Sequence, residues 1–387
     1  MKFVFASDSF KGTLSSKRIS QLLTIAAREV LGDCECIPVT IADGGEGTLD
    51  ALMSAGNGML IPVVVHDPLM NEIKANYGVF DAHMAVVEMA QASGLTLVDD
   101  DKRNPLYTSS IGTGELIRVA LRAGHTDLTV AIGGSATNDG GMGAMTALGV
   151  RFLDKNGKPL EGLGINLGKV HSVNMSGMPA GLDRAVVSVM CDVKNPLCGV
   201  NGATYVYGPQ KGADDEILKV LEDGMENYRR VLTREFGIDP NDIQGAGAAG
   251  GMGAALKLFL GAELKSGIES VLDIVRFDSL ISDVDYVITG EGRLDGQSSI
   301  GKAVQGIGDR AKKAGVPCIA LCGCLGEGYE EIMDHGITRI VTLADDNITA
   351  EYAIEQAEEV YYKKALELFR TLRRGIKEMT KKEQEVV

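Results

Sequence analysis

Five carboxylates follow predicted strands and have glycine nearby, a placement that suits metal binding or acid–base chemistry. They are Asp43 and Glu46 in "ADGGEGT", Asp192 after "AVVSVMC", and Glu291 and Asp295 in "TGEGRLDGQS". In an open parallel sheet, the carboxyl ends of the strands form the crevice that holds ligands. A single acid in such a place is often a helix cap, but acids at several strand ends indicate a shared site.

A glycine-rich segment, "AIGGSATNDGGMGAM", follows an apolar run and precedes a predicted helix. Its backbone N–H groups could approach an anion closely, and the start of a helix favours negative charge. A plain tight turn is the simpler explanation. Because polar side chains alternate with the glycines, we prefer a phosphate-binding site. Its candidate residues are Gly133, Gly134, Ser135, Asn138, Asp139, Gly140 and Gly141.

Two other glycine motifs are weaker signals. The segment "GAGAAG" at 245–250 matches the dinucleotide fingerprint, but no strand is predicted before it. Close helix packing and a phosphate-facing helix start both stay open for that segment. The segment "GQSSIGKA" at 296–303 nearly matches the Walker pattern, yet Ala303 replaces the hydroxyl residue that would hold magnesium. We therefore do not expect a standard P-loop fold.

This combination of residues is what phosphoryl transfer requires. The reaction needs an anion cradle, acids for Mg²⁺, a base that orients the acceptor hydroxyl and a cation for the acceptor. The first loop, "ASDSFKGTLSS", offers such a cation in Lys11 among small polar residues. A solvated loop lysine is the simpler interpretation of the same residue.

Alternating strand and helix patterns at both chain ends must position these residues. The apolar run from Phe3 to Ala6 predicts a buried strand, and a helix with apolar spacing follows it. The segment from 285 onward repeats strand, glycine loop and helix, and a long charged helix is predicted over about 350–380. We predict an α/β protein in which a Rossmann-like parallel-sheet domain is built from residues 1–60 and 285–387. A second α/β domain, residues 61–284, is inserted, and we expect the active site in the cleft between the two.

Composition excludes several classes of function. The chain has 387 residues and a net charge of -15, so its surface would repel nucleic acid. Seven cysteines without metal-ligand spacing indicate reduced thiols and a cytoplasmic location. Neither a signal peptide nor a membrane span is predicted. The sequence leaves a homo-oligomer open.

Seven motifs occur in order, and together they resemble the bacterial type I glycerate kinases. They are "DSFKGTLSS", "ADGGEGT", "GTGELI", "IGGSATNDGG", "CDVKNPLCG…YGPQKGA", "GAGAAGGMGAAL" and "TGEGRLDGQS". The resemblance runs from residue 1 to about residue 375. It implies ATP-dependent phosphorylation of D-glycerate, with 2-phosphoglycerate the usual product and with ATP and Mg²⁺ as cofactors. It also implies two α/β domains, one of them Rossmann-like.

The resemblance suggests roles for the cationic residues. Glycerate carries a carboxylate, which a buried site must pair with a cation. Lys11 is the first candidate, with a catalytic role also open to it, and Arg103 in "DKRNPLYTSS" is the second. Ser9 and Arg293 complete the expected substrate-binding set.

The acids keep alternative assignments. Either Asp192 or Asp43 would orient the acceptor hydroxyl, and either Asp295 or Glu291 would hold Mg²⁺. Three other functions remain open: a non-catalytic protein that binds small hydroxy acids, a kinase that phosphorylates the 3-position, and a dehydrogenase that uses "GAGAAG".

Overall fold

A computed structural model describes residues 1–10, 12–41, 47–55, 58–179, 182–296, 302–345 and 348–385. The chain forms two compact units. The terminal unit comprises Met1–Ala42 and Val271–Val387, and the central unit comprises Asp43–Ser270. These boundaries lie before the breaks at 60 and 284 that the sequence pattern suggests.

The strands of the described residues follow this chain order. They are β1 (Lys2–Phe5), β2 (Glu35–Pro38), β3 (Met59–His66), β4 (Glu72–Val79), β5 (Met84–Glu88), β6 (Asp127–Ala131), β7 (Arg151–Leu153), β8 (Ser172–Asn174), β9 (Val186–Met190), β10 (Glu263–Lys265), β11 (Tyr286–Thr289), β12 (Arg293–Leu294), β13 (Cys318–Cys322), β14 (Cys324–Leu325) and β15 (Ile337–Thr342).

The α-helices between and after them are also given in chain order. They are α1 (Ser16–Leu31), α2 (Thr48–Ala55), α3 (Ala90–Ser93), α4 (Ile111–Arg122), α5 (Met142–Ala147), α6 (Ala203–Tyr207), α7 (Asp215–Phe236), α8 (Ala248–Leu260), α9 (Gly267–Ile274), α10 (Phe277–Leu280), α11 (Ala303–Ala314), α12 (Ala350–Glu355) and α13 (Ala357–Glu385). No helix of the described part of the chain is long and apolar enough to cross a membrane.

The terminal unit contains a five-stranded parallel sheet in the order β2-β1-β11-β13-β15. Its first two strands come from the start of the chain and the other three from the far end. The chain therefore winds outward in both directions from the neighbouring pair β1 and β11. This doubly wound order has a switch point between those two strands, which is where such sheets bind ligands. The predicted α/β class is confirmed.

Helices cover both faces of the three central strands, β1, β11 and β13, which are largely apolar and buried. Phe3, Phe5 and Ile288 pack in one core cluster with residues of α1 and α13. The ring of Phe369 on α13 meets Phe3 edge-on, with 5.4 Å between centroids. On α11, Val304 and Ile307 are fully buried, and the helix contacts β11 and β13. Burial on both faces explains why these strands read as continuous apolar runs.

The C-terminal segment, predicted as one long charged helix over about 350–380, forms two helices. Gln356 adopts φ -113° and ψ 35°, so the helical backbone breaks between α12 and α13. One face of α13 is also part of the core, since Tyr361, Ala365 and Phe369 are fully buried. The charge-rich composition of this segment concealed an amphipathic pattern.

The central unit is built on a six-stranded mixed sheet in the order β10-β9-β6-β5-β4-β3. The strands β10, β9, β6 and β5 are parallel, and β4 and β3 add an antiparallel hairpin. The four parallel strands end on the same edge. Consequently the loops after β5, β6, β9 and β10 emerge side by side. Three of them carry residues singled out in the sequence: Arg103 after β5, the glycine-rich segment after β6 and Asp192 after β9.

Candidate active site

At the switch point of the terminal unit, two loops continue the pairing of β1 and β11. The N–H of Ala6 donates to the carbonyl of Ile288 at 2.8 Å, and the N–H of Asp8 donates to the carbonyl of Gly290 at 2.9 Å. A side chain on Gly290 would put its Cβ 1.9 Å from the carbonyl oxygen of Leu321, so glycine is required there. The structure thus brings the loop of Ser9 beside the loop of Glu291.

The first of these loops is ordered by its own carboxylate. The N–H of Ser9 donates to Asp8 Oδ1 at 2.6 Å, and Phe10 is buried behind it. Ser16 Oγ donates to the carbonyl of Ser7 at 2.7 Å and ties the loop to the start of α1. Lys11 lies outside the described residues.

The second loop carries both predicted metal ligands and a predicted substrate residue. Glu291 is 9% exposed. Asp295 Oδ2 lies 3.4 Å from Arg293 Nε, and Asp295 Oδ1 lies 4.0 Å from Lys302 Nζ. The structure therefore brings Arg293 and Lys302 together around the carboxylate of Asp295. Residues 297–301 of the Walker-like segment lie outside the described residues.

In the central unit, the acids at strand ends hold backbone N–H groups. Asp192 follows β9, is exposed, and accepts from the N–H of Gly267 at 2.8 Å, at the start of α9. Glu88 ends β5 and accepts from the N–H groups of Gly47 and Leu49 at 2.9 and 2.8 Å. Glu88 therefore fixes the chain just after the segment that contains Asp43. Asp43 itself lies outside the described residues.

The predicted phosphate loop follows β6 and is held on both sides of Ser135. The N–H of Leu95 donates to the carbonyl of Gly134 at 2.8 Å, and the N–H of Ala136 donates to the carbonyl of Ser93 at 2.9 Å. Gly140 has a φ of +63°, and a Cβ there would lie 2.6 Å from the Tyr228 ring. The glycines therefore allow both the turn geometry and close packing.

Asp139 is the anchor of this loop. Its carboxylate is fully buried and accepts from the N–H and Oγ of Ser110 at 2.9 and 2.7 Å. It also accepts from the N–H groups of Gly141 and Gly143 at 3.0 and 3.1 Å. These bonds join the starts of α4 and α5. Burial raises the pKa of Asp139, while the donated hydrogen bonds act in the opposite direction.

Asn138 and Arg103 each contact another side chain of the central unit. Asn138 is fully buried and donates through Nδ2 to Thr204 Oγ1 at 3.2 Å. Arg103 lies 2.7 Å from Asp100 in an i,i+3 ion pair, and Asp100 is mostly exposed. Arg103 also contributes backbone, because a Cβ at Gly212 would lie 2.3 Å from its carbonyl oxygen.

The "GAGAAG" segment packs against the phosphate loop. Gly250 has a φ of +68°, and a Cβ there would lie 2.1 Å from the carbonyl oxygen of Thr137. The carbonyl of Gly250 accepts from the N–H of Gly140 at 2.9 Å. No strand precedes the segment in the described residues, where a 3₁₀ turn (Pro240–Asp242) stands instead. The geometry therefore supports the close-packing interpretation over a dinucleotide site.

Sequence reasoning missed Lys211, which lies directly under the phosphate loop. Lys211 is 2% exposed, and its Nζ donates to Ser135 Oγ at 2.8 Å and to the carbonyl of Thr137 at 2.6 Å. Burial lowers the pKa of Lys211 to about 7, and the charge of Asp139 opposes that shift. The available signal was its position between Gly208-Pro209 and Gly212 in "YGPQKGA", where a tight turn presents a lysine.

Comparisons with known proteins find similarity over almost the whole chain. The family model of the glycerate kinase family matches residues 3–373. A protein of Escherichia coli K12 named glycerate 2-kinase is 41% identical over 97% of this chain and 99% of its own length. A glycerate kinase of Bacillus subtilis 168 is 42% identical over 93% of this chain and 94% of its own length.

A solved structure gives the same result at the level of the fold. The crystal structure of a candidate glycerate kinase 2 from Salmonella typhimurium LT2 superposes with a TM-score of 0.84 and 40% sequence identity. It covers 97% of this chain and 99% of its own chain. The chain therefore belongs to the glycerate kinase family of enzymes, which transfer a phosphoryl group to an alcohol group.

Proposed function

We propose that this enzyme transfers the γ-phosphoryl group of ATP to the 2-hydroxyl of D-glycerate and forms 2-phosphoglycerate. The observation that carries the choice of position is the E. coli relative, whose name specifies a 2-kinase and which matches 97% of this chain. Glycerate has hydroxyl groups on C2 and C3, so residue chemistry alone does not separate the two products. The proposed site of phosphorylation therefore rests on similarity to the E. coli relative, and the proposed reaction class rests on the site residues.

The phosphate loop would hold the nucleotide phosphates. Its support is a rigid backbone, since Ser93, Leu95 and Asp139 fix the loop by hydrogen bonds at 2.8–3.1 Å. A loop fixed in advance loses little conformational freedom when an anion arrives, which favours binding. Ser135 is the polar side chain we expect to meet the phosphates.

The acceptor would be held by Lys11, Ser9 and Arg293, with Asp192 or Asp43 orienting its hydroxyl. Ser9 has support from the switch point, because its loop and the loop of Glu291 meet at the carboxyl ends of β1 and β11. Asp192 carries a carboxylate at the end of β9 that already accepts one N–H. We keep Arg103 as a second partner for the glycerate carboxylate.

Mg²⁺ is proposed as a companion of the nucleotide rather than as a resident ion. Asp295 and Glu291 offer the hard oxygen ligands that Mg²⁺ prefers. Two cations already stand 3.4 and 4.0 Å from the Asp295 carboxylate. Among the described residues, the single group of three ligand-type side chains is Cys198, Glu222 and Glu226, which includes neither of them. Asp295 and Glu291 therefore fit an ion that keeps several waters and is held mainly by phosphates, as Mg²⁺ usually is. When bound, it would neutralise charge on the transferred phosphoryl group.

We propose that the enzyme works in a reducing compartment, the cytoplasm. All seven cysteines are free thiols. Cys34 and Cys36, which are two positions apart, keep their sulfur atoms at 3.8 Å, well beyond the length of a disulfide bond. Self-association of the chain stays a prediction.

The test is to identify the product by phosphorus NMR. Incubation with Mg²⁺-ATP and D-glycerate is expected to give a phosphate ester whose proton-coupled signal is a doublet, because C2 carries one hydrogen. A triplet would indicate phosphorylation at C3, which carries two hydrogens, and would overturn the proposed position. Binding of glycerate without any ester would favour the binding-protein alternative. L-Glycerate under the same conditions is the matched control for the acceptor.

A further inference from the structure

Lys211 occupies an unusual position for a lysine. It ends the 3₁₀ turn Pro209–Lys211 and is 2% exposed, so its charge lies in the interior of the central unit. A buried ammonium is costly unless its hydrogen bonds and charge are compensated. A methionine of similar length would fill the same space without that cost. The lysine therefore calls for a reason other than packing.

The hydrogen bonds of Lys211 indicate how it could act. Its Nζ donates to Ser135 Oγ at 2.8 Å and to the carbonyl of Thr137 at 2.6 Å. In its ammonium form Lys211 has no lone pair and only donates to Ser135 Oγ, so the hydroxyl proton of Ser135 must then point to another acceptor. Within the described ranges, no acceptor for that proton is found. Ser135 is 7% exposed, so the residue still reaches the surface of the loop.

We infer that Lys211 is a positioning residue of the phosphate loop that acts through Ser135. The ammonium beneath the loop fixes Ser135 Oγ and directs its O–H outward, where it donates to a phosphate oxygen of the nucleotide. A hydroxyl that accepts a bond from a cation becomes a stronger donor, because linked hydrogen bonds polarise one another. This inference rests on the proposed function, in which the loop binds the nucleotide phosphates.

The protonation state of Lys211 should change when the nucleotide binds, and this change can be measured. Burial lowers the pKa of the lysine to about 7, and Asp139 is the charged group that acts on it in the opposite sense. At pH 8 the free enzyme therefore holds this side chain mostly neutral. A phosphate bound at Ser135 favours the ammonium form, so nucleotide binding should draw a proton into the protein. The secondary ionisation of the phosphate lies near pH 6, so at pH 8 the ligand itself contributes little.

The experiment is calorimetric titration of the enzyme with ADP at pH 8 in two buffers of different ionisation enthalpy. We expect the wild-type protein to take up as much as one proton per ADP bound. Lys211→Arg should take up almost none, because its guanidinium is already charged. Lys169→Met is the control, since Lys169 is an exposed lysine of the same unit and donates to Asn166 Oδ1 at 3.0 Å. It should bind ADP with unchanged affinity and proton uptake.

A double-mutant cycle tests the route through Ser135. Lys211→Met and Ser135→Ala should each weaken ADP binding by about tenfold or more, as expected for loss of a charge-assisted hydrogen bond. The double variant should be no weaker than the more affected single variant, because both changes remove one linked interaction. Additive effects would overturn the inference, as would wild-type proton uptake that persists in Lys211→Arg.

The remaining outcomes also decide the matter. If Lys211→Met does not fold, proton uptake in Ser135→Ala is the test, and uptake equal to that of the wild type overturns the inference. If the wild type does not bind ADP, the phosphate loop of the proposed function is wrong and the inference falls with it. If the wild type forms phosphoglycerate but Lys211→Met binds ADP normally, the inference alone is wrong.

Discussion

At the scale of single residues, Lys211 should make the stability of the protein depend on pH. Its pKa is lowered from 10.5 to about 7 in the folded protein, so between these values the unfolded chain binds more protons than the folded one. The free energy of unfolding should therefore rise with pH above about 7, by at most about 1.4 kcal/mol per pH unit. Urea unfolding of the wild type at pH 7.0, 7.75 and 8.5 measures this slope.

The same measurement on Lys211→Met isolates the effect of the lysine. Burial raises the pKa of cysteines such as Cys318, so as the pH rises their thiols ionise in the unfolded chain before they do in the folded protein. Their contribution is present in both proteins, so the wild-type minus variant difference removes it. That difference should increase from pH 7.0 to 8.5. A constant difference would contradict the burial of a titrating lysine at this position.

Lys11→Met should weaken the binding of the acceptor, glycerate, rather than the binding of ATP. Glycerate carries a carboxylate, and losing one charge-assisted bond to it costs on the order of 1.5–3 kcal/mol. That corresponds to a roughly ten- to hundredfold fall in kcat/KM for glycerate. Steady-state kinetics with each substrate varied in turn should give a higher KM for glycerate and a similar KM for ATP. Wild-type kinetics at an unchanged Tm would reject the proposed role of Lys11.

At the scale of elements, the start of α8 packs closely against the phosphate loop. An alanine at position 250 would need a φ of +68° and would place its Cβ 2.1 Å from the Thr137 carbonyl oxygen. Gly250→Ala should therefore lower the free energy of unfolding by about 3 kcal/mol or more and weaken ADP binding. Chemical denaturation and the ADP titration check the two effects.

Gly237→Ala is the matched control for this change. Gly237 ends α7 with a φ of +71°, and nothing lies within 4 Å of a Cβ placed there. Its replacement should cost only the backbone strain, about 1–2 kcal/mol, and leave ADP binding intact. Equal losses in the two variants would mean that backbone strain, rather than contact with the loop, explains Gly250→Ala.

The elements around the switch point could be predicted because their signals are local. The run Phe3–Ala6 is apolar on both faces, and Ile19, Leu22 and Leu23 repeat at helical spacing, so β1 and α1 follow from nearest neighbours in the chain. Ser15 also caps α1, accepting from the N–H of Arg18 at 3.2 Å. Such patterns report burial without any knowledge of distant partners.

Long-range contacts could not be predicted in the same way. Lys211 bonds to Ser135, which lies 76 positions away in the sequence, and no local pattern in either segment predicts that contact. Asp139 looked like a phosphate-loop residue because it stands among glycines, but its carboxylate is fully buried and holds the starts of two helices. Residue type and spacing located the loop, and tertiary packing decided which side chains face inward.

At the scale of the whole molecule, the two units differ in whether one continuous stretch of chain can form them. The central unit is one continuous stretch, Asp43–Ser270, with a core cluster that includes Leu128, Val189 and Met225. The terminal unit needs both chain ends, because β1 lies between β2 and β11 in its sheet. Without the C-terminal segment, β1 and β2 would be a two-stranded pair with only α1 to pack against, because Phe3 and Phe5 would lose Ile288 and Phe369 from their core, and such a pair is marginal in water.

Truncation should therefore separate the units. A fragment of residues 43–270 is expected to fold by itself and to melt in one cooperative transition followed by circular dichroism. A fragment of residues 1–270 should show that same transition, and limited proteolysis should trim its first 42 residues, because their sheet partners begin only after residue 270. The full chain should resist that cleavage at the same protease concentration. A 43–270 fragment without a cooperative transition would show that the central core depends on the terminal unit, and protection of the first 42 residues in the longer fragment would contradict the need for β11.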